Sequence, residues 1–233
     1  MRNELLWGLM LIVNFLSIIL IYKKFGKIGL YAWIPISTIL ANIQVVLLVN
    51  LFGLNTTLGN ILYAGGFLVT DILAENYGKK SAQKAVYIGF FSLISTSLIM
   101  KIAVSFVPME EGIVMFEAVK NIFDFMPRLM FASLCAYLFS QSHDIIAYEF
   151  WRKKFPHTKH IWIRNNASTM ISQILDNLIF TAIAFYGIYS FDTLKEIFIS
   201  SYVIKFVVAV CDTPFVYLAN YLKNHNMIED IEK

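Results

Sequence analysis

Two carboxylates lie four residues apart at the end of an apolar stretch. Asp71 and Glu75 follow the run 61–70, and a four-residue spacing places both side chains on one face of a helix. An ionised Asp near the centre of a membrane-spanning helix costs roughly 2.5–3.5 kcal/mol on insertion scales. Carboxylates kept at such a cost are candidates for binding a polar solute.

Two later apolar segments carry polar faces with a shared pattern. Ser140-Gln141-x-x-Asp144 recurs as Ser172-Gln173-x-x-Asp176, and each spacing puts the Asp beside the Gln on its helix. The recurrence is either an internal repeat, which is common in transporters, or a convergent pattern that arose because both helices require an amide beside a carboxylate. Since lipid contacts only apolar surface, we expect both faces to line a polar cavity.

The composition is typical of an integral membrane protein. Hydrophobic residues make up 58% of the 233 and charged residues only 15%, with a mean hydropathy of +0.64, whereas about 25% charged is usual in soluble domains. A span needs about 20 apolar residues. We predict an all-α polytopic bundle in one transmembrane domain, 1–233, with a six-helix core after an N-terminal helix. The predicted spans are 4–22, 32–52, 58–75, 84–107, 128–150, 166–189 and 195–222. We interpret the first as a retained helix, because no small-x-small cleavage site is evident.

The loops alternate in charge. Basic residues follow the first, third and fifth predicted helices, for example Lys23, Lys79 and Arg152, whereas the loop 53–57 has none. The positive-inside rule then predicts a multi-pass protein with its N-terminus outside and its C-terminus in the cytoplasm. The net charge of +3 reflects this topology. No basic patch with interleaved aromatic residues indicates a nucleic-acid partner.

Sequence signatures of enzymes and metal sites are missing. There is no Walker A loop, no H-E-x-x-H and no G-x-S-x-G. Cys135 and Cys211 both lie in predicted spans without nearby His ligands, so we predict neither a disulfide nor a metal site, and no cofactor. Asp71 and Asp144 are the residue types that an intramembrane aspartyl protease uses. The glycine-rich sequence signatures that surround the aspartates of such proteases are absent. We expect no enzymatic activity.

The polar residues of the predicted helices define a candidate site. The proposed substrate-binding residues are Asn42, Asp71, Gln141, Asp144, Asn165, Asn166, Gln173 and Asp176. Supporting roles are assigned to Glu75, Arg164, Lys205 and Asp212. Two alternatives need no substrate: Glu75 pairs with Lys79 one turn on, and Lys205 forms an ion pair with Asp212, seven residues later, or with another helix.

Three blocks in this order resemble the queuosine precursor transporter family, formerly described as vitamin uptake transporters. They are DILAENYGKK at 71–80, SQxxD at 140–144 and RNNxSTxxSQxxD at 164–176. The resemblance covers roughly 35–222. It implies a bacterial inner-membrane protein that imports 7-deazaguanine bases, such as preQ0 and preQ1, for tRNA modification. One carboxylate can accept the N1–H and exocyclic amine of such a base, an amide can donate to O6, and a second carboxylate suits the cationic aminomethyl group of preQ1.

Several alternatives stay open at this stage. Four functions are compatible with the sequence. The first is a carrier that needs no ATPase module, and the second is the substrate-capture component of an ATP-driven vitamin importer. The others are a transporter of another purine-like molecule or vitamin, and a scaffold or enzyme with a polar core. The sequence does not distinguish preQ0, preQ1 and queuine, nor proton coupling from facilitated diffusion. It also allows a homo-oligomer.

Overall fold

A computed structural model of the protein describes residues 2–45, 47–124, 127–187 and 190–229. These residues form a helical bundle with one small hairpin, which confirms the predicted all-α membrane fold. The helices are α1 Arg2–Gln44, α2 Gly59–Tyr77, α3 Lys79–Ala103, α4 Ile113–Asp124, α5 Pro127–Lys154, α6 Ile161–Phe185 and α7 Phe191–Asn224. Short 3-10 turns lie at Glu110–Gly112 and Thr158–His160. By length and composition, Arg2–Gln44, Lys79–Ala103 and Thr158–Phe185 are apolar enough to cross a membrane.

Helix α1 contains a sharp reversal at Gly26. Its φ of 55° and ψ of −139° favour glycine, and they separate two arms, 2–25 and 27–44. A Cβ on Gly29 would lie 2.4 Å from the carbonyl oxygen of Ile21, so the second arm starts directly against the first. The predicted helices 4–22 and 32–52 are these two arms.

The second arm ends earlier than predicted. It stops at Gln44, and Leu48–Leu51 pairs antiparallel with Leu54–Thr57 instead of continuing a helix to 52. Phe52 and Gly53 both have positive φ, 52° and 80°, as a two-residue type I′ turn requires. Hydropathy did not predict this hairpin, because a short apolar run is equally compatible with a strand and with a buried helix.

Other helix ends also differ from the predicted spans, because hydropathy marks only the apolar part of a helix. Helix α3 begins five residues before the predicted 84, within the sequence KKSAQ, and α6 begins five residues before the predicted 166, where Arg164 and Asn165 follow three apolar residues. The predicted end of the sixth span, 188–189, lies outside the described residues. The segment 108–127, predicted as a loop, contains α4, whose 12 residues are too few to span a bilayer.

The basic segments meet at one end of the bundle. The ammonium groups of Lys27 and Lys84 lie 5.7 and 5.5 Å from the ring centroid of Tyr31. The Lys223 ammonium lies 4.2 Å from the ring centroid of Tyr77. Arg152, at the end of α5, donates to the carbonyl oxygen of Ala74 at 2.6 Å. The loops that share a charge pattern in the sequence therefore share one end of the fold.

The bundle is apolar outside and polar inside. Leu5, Phe91 and Phe106 are 70–73% exposed, whereas one aspartate on each of α2, α5, α6 and α7 is at most 2% exposed: Asp71, Asp144, Asp176 and Asp212. Water-soluble folds arrange these groups the other way round. The arrangement fits a bundle surrounded by lipid, in which polar side chains must face protein.

Small residues allow α1 and α2 to approach closely. The Asn14 side chain donates to the carbonyl oxygen of Ile61 at 3.3 Å, and a Cβ on Gly65 would lie 2.5 Å from the Asn14 amide nitrogen. The neighbouring Gly66 has more room, since its Cβ would lie 3.7 Å from the amide nitrogen of Gln141. A side chain at Gly65 would therefore have to displace the buried Asn14 amide, whereas one at Gly66 would make ordinary contact.

We predict opposite outcomes for alanine at these two adjacent positions. Gly65→Ala overpacks the contact with Asn14 and should lower stability by about 1–3 kcal/mol, measured as a lower melting temperature of the purified protein in detergent. Gly66→Ala is the matched control and should leave the melting temperature within a few degrees of wild type. Equal melting temperatures for the two variants would contradict the packing described for α1 and α2.

Candidate functional site

A buried ion pair joins four helices in the interior. The Lys205 ammonium of α7 donates to the Asp176 carboxylate of α6, and also to Asn177 Oδ1 at 2.8 Å. The Tyr63 hydroxyl of α2 donates to the same carboxylate, and Ser140 Oγ of α5 lies 3.3 Å from its Oδ1. We call these five residues the ion-pair cluster. Asp176 is thus fully paired within the protein.

This arrangement decides between the two ion pairs expected for Lys205 of α7. Lys205 does not pair with Asp212 seven residues later; it forms the interhelical pair with Asp176, and Asp212 accepts from Asn165 instead. Pro214 follows two residues after Asp212, and α7 continues through it. Residue spacing alone could not predict which carboxylate pairs with Lys205, because the pairing depends on how the neighbouring helices pack.

A second ion pair lies nearer the basic end. The Arg164 guanidinium of α6 donates to Glu75 of α2 at 2.7 Å, and the Tyr148 hydroxyl of α5 donates to the other carboxylate oxygen at 3.2 Å. Arg164 also donates to the Phe155 carbonyl oxygen at 2.9 Å. The alternative pairing of Glu75 with Lys79 is therefore wrong. Arg164, a residue 1% exposed, is the cation that neutralises Glu75.

Between these two pairs lies a set of carboxylates and an amide that we call the acceptor cluster: Asp71, Asp144, Asn165 and Asp212. Asn165 donates to Asp212 Oδ1 at 2.6 Å, and Thr169, one turn along α6, donates to Asp71 Oδ2 at 3.3 Å. The Asp71 carboxyl group is close enough to Asp144 and Asp212 to interact with both. The cluster thus brings together α2, α5, α6 and α7.

Many polar atoms of this interior have no hydrogen-bond partner among the described residues. They are Asp71 Oδ1, both carboxylate oxygens of Asp144, Asn165 Oδ1, Asp212 Oδ2, Gln141 Nε2 and both amide atoms of Gln173. All belong to residues that are at most 1% exposed. Buried polar groups in folded proteins are nearly always hydrogen-bonded, so such a concentration marks a site for a polar ligand.

The two glutamines supply donors beside the acceptor cluster. Gln141 lies on α5 one turn before Asp144, and its Oε1 accepts from the Thr70 hydroxyl at 3.1 Å. The Thr70 hydroxyl also lies 2.9 Å from the Phe67 carbonyl oxygen, so its one proton is shared between these two acceptors, and Gln141 Nε2 is left unpartnered. Gln173 lies on α6 one turn after Thr169. The interior therefore offers amide donors as well as carboxylate acceptors.

Two predicted residues take other positions. Asn42 donates to the carbonyl oxygen of Thr38 in its own helix at 3.0 Å, and lies beside Leu93 of α3 and Ile122 of α4, apart from the acceptor cluster. Asn166 is only half-buried and donates to Thr213 Oγ1 at 2.8 Å, which ties α6 to α7. These contacts favour packing roles for both amides.

Sequence reasoning missed Tyr63 and Thr70. Tyr63 donates to Asp176 and its ring centroid lies 5.1 Å from the Lys205 ammonium. A signal existed, since Tyr63, Asp71 and Glu75 recur at multiples of four along α2. Thr70 has no such signal, because a hydroxyl inside an apolar run equally well bonds its own helix backbone. Thr70 does so too, to the Phe67 carbonyl oxygen at 2.9 Å.

Fold and interior together define a class of protein. A helical membrane bundle with unpartnered donors and acceptors at its centre is typical of a transporter for a small polar molecule. Among the described residues, no group of three or more His, Cys, Asp or Glu side chains is arranged to hold a metal ion.

Comparisons with known proteins give the family. The model of the family described as "Putative vitamin uptake transporter" matches residues 57–219, and the chain belongs to this family. It is 44% identical over 219 residues to the "Probable queuosine precursor transporter" of Bacillus subtilis, covering 94% of this chain and 95% of the relative. It is 26% identical over 165 residues to the "Queuosine precursor transporter" of Escherichia coli, covering 71% and 70%. No solved structure matches.

We predict that the buried pair of Asp176 and Lys205 behaves as a unit in stability. Asp176→Asn and Lys205→Met alone should each destabilise by about 3–5 kcal/mol, because each leaves an uncompensated charge. The double variant should recover a large part of that loss, measured as unfolding free energy in detergent.

The matched control is the exposed pair of Lys195 and Asp192 at the start of α7. Their charged groups lie 3.6 Å apart, with side chains 56% and 91% exposed. Lys195→Met should change stability by less than about 1 kcal/mol. Additive losses in the Asp176 and Lys205 double variant would contradict the pairing.

Proposed function

We propose that this protein imports queuosine precursors, 7-deazaguanine bases such as preQ0 and preQ1, for tRNA modification. The family supports a transporter, and the names of the relatives supply the substrate class. The observation that carries the proposal is the concentration of unpartnered, buried donors and acceptors on α2, α5 and α6. We propose no catalytic role for these groups.

The chemistry of a 7-deazaguanine matches this set of groups. Its N1–H and exocyclic amine are adjacent donors, which one carboxylate accepts in a bidentate manner, and its O6 accepts from an amide. Asp144 offers two unpartnered carboxylate oxygens, and Gln141 offers an unpartnered amide nitrogen one turn away on the same helix. We therefore propose that Asp144 and Gln141 recognise the guanine-like edge of the base, with Asp71 and Gln173 beside them.

Buried groups of this kind also exclude wrong ligands. A molecule without the matching hydrogen-bonding edge would leave the carboxylate and amide groups unpaired in a low-dielectric interior. Aromatic rings lie beside Tyr63, whose hydroxyl donates to Asp176: the Tyr63 ring centroid lies 5.7 Å from that of Phe67 and 6.0 Å from that of Tyr137. These rings are candidates for contact with the flat face of the base.

The paired residues have a different proposed role. Asp176 with Lys205, and Glu75 with Arg164, have their charges compensated inside the protein. We propose that these pairs fix α2, α6 and α7 around the site and leave the acceptor cluster to the substrate. Asp176, a predicted substrate ligand, is thereby reassigned to a supporting role.

We further propose how the chain lies in the membrane. The single transmembrane domain 1–233 spans the bacterial inner membrane, with the basic end of the bundle in the cytoplasm, as the positive-inside rule requires. The N-terminus then lies outside and the C-terminus inside. The acceptor cluster lies about two turns or less from the cytoplasmic end of α2, because Asp71 is six residues before Tyr77. We propose that no ATPase module is needed.

The proposed function is tested in a bacterial host that cannot synthesise queuosine precursors but keeps the later steps from preQ1 to tRNA queuosine, and that lacks its own precursor transporter and any energy-coupling ATPase module. Cells that express this protein and receive preQ1 should regain queuosine in their tRNA. Unmodified tRNA despite good membrane expression would contradict the proposal. Recovery only when an ATPase module is supplied would identify the substrate-capture component of an ATP-driven importer instead.

We predict that Asp144→Asn lowers uptake in this host roughly 10- to 100-fold, because one charged hydrogen-bond acceptor is lost. The change keeps the size of the side chain and leaves both ion pairs intact. Initial rates of labelled preQ1 uptake measure the effect. Asp192→Asn, on the exposed start of α7, is the control and should transport like wild type. Equal rates for the two variants would exclude Asp144 from the binding site.

A further inference from the structure

The unpartnered atoms of the acceptor cluster share one chemical property: every one of them accepts hydrogen bonds. They are Asp71 Oδ1, both carboxylate oxygens of Asp144, Asn165 Oδ1 and Asp212 Oδ2. Unpartnered donors of this interior, among them Gln141 Nε2, Gln173 Nε2 and Arg164 Nε, belong to residues outside the cluster. A group that fills the cluster must therefore be rich in donors.

Hydrogen bonding fixes the orientation of the one amide in the cluster. Asn165 Nδ2 lies 2.6 Å from Asp212 Oδ1 and 3.2 Å from Thr213 Oγ1. Because an ionised carboxylate only accepts, the amide nitrogen must face Asp212. The Asn165 carbonyl oxygen is consequently left beside the unpartnered Asp212 Oδ2, at a residue 0% exposed.

The cluster also lacks a cation among the described residues. The buried Lys205 ammonium is bound to Asp176, and the buried Arg164 guanidinium is bound to Glu75. The groups that face the Asp71 carboxyl group are Asp144 and Tyr148 of α5, Thr169 of α6 and Asp212 of α7. Asp71 and Asp144 lie within hydrogen-bonding reach of each other, whereas Asp212 has no bound side-chain cation among the described residues, an arrangement that favours a positive ligand there.

We propose that Asp212 and Asn165, the part of the acceptor cluster not assigned to the guanine-like edge, bind a primary ammonium group carried by the substrate, so that this transporter selects preQ1 over preQ0. The proposal rests on the proposed function and names the substrate within it. An ammonium group has three donors, no acceptor and a positive charge, which matches both the hydrogen bonding and the charge of the cluster. The nitrile of preQ0 is neutral and only accepts, so it would face acceptors without a partner.

The two bases provide a direct test. Dissociation constants for preQ1 and preQ0 are measured by calorimetry on the purified full-length protein in lipid nanodiscs. We expect preQ1 to bind about tenfold tighter or more, the effect of one charged hydrogen bond. Equal affinities, or tighter binding of preQ0, would overturn this inference and leave the proposed function standing. Binding of neither base would instead contradict the proposed function.

A substitution assigns the preference to the cluster. Asp212→Asn keeps the shape of the side chain but removes its charge and replaces an acceptor by a donor. The ratio of preQ1 to preQ0 affinity should then fall about tenfold or more. Asp192→Asn, at the exposed start of the same helix, is the matched control and should keep the wild-type ratio. An unchanged ratio in Asp212→Asn would remove Asp212 from the ammonium site.

Discussion

The structure depends on one constraint: a charged side chain in hydrocarbon must be enclosed and paired. Helices α2, α5, α6 and α7 all carry carboxylates, and none of them can turn those groups toward lipid. The four helices therefore have to meet along their polar faces. The exposed apolar side chains of α1 and α3, such as Leu5 and Phe91, cover the outside of the same bundle.

The interior separates charges that hold the fold from charges that are free for a ligand. Lys205 and Arg164 neutralise Asp176 and Glu75, on either side of Asp71 and Asp144 along the bundle. Removing one partner of either pair leaves a buried charge without a counter-ion, which is strongly destabilising. These contacts therefore fix the helix positions. Asp71, Asp144 and Asp212 keep oxygens without protein partners. That division is the physical basis of the proposed binding site.

Sequence reasoning predicted the class of fold and the polar helices well, because hydropathy and helix periodicity are local properties. It could not predict the partners of the charged groups. By residue spacing, Asp212 is as good a partner for Lys205 as Asp176. Only the packing of α6 against α7 brings Lys205 to Asp176. The surroundings of Asn42 likewise depend on packing, since the second arm of α1 places it beside Leu93 of α3 and Ile122 of α4. The hairpin at 48–57 was hidden in an apolar run that suits a strand or a helix.

The central claim is that this protein alone carries a 7-deazaguanine base across a membrane. The most direct test reconstitutes the purified full-length chain into liposomes and measures entry of labelled preQ1, without nucleotide or any second protein. Our account predicts saturable entry that excess unlabelled preQ1 suppresses and that Asp144→Asn slows roughly 10- to 100-fold. Entry no faster than into protein-free liposomes, with the protein correctly folded and inserted, would contradict it.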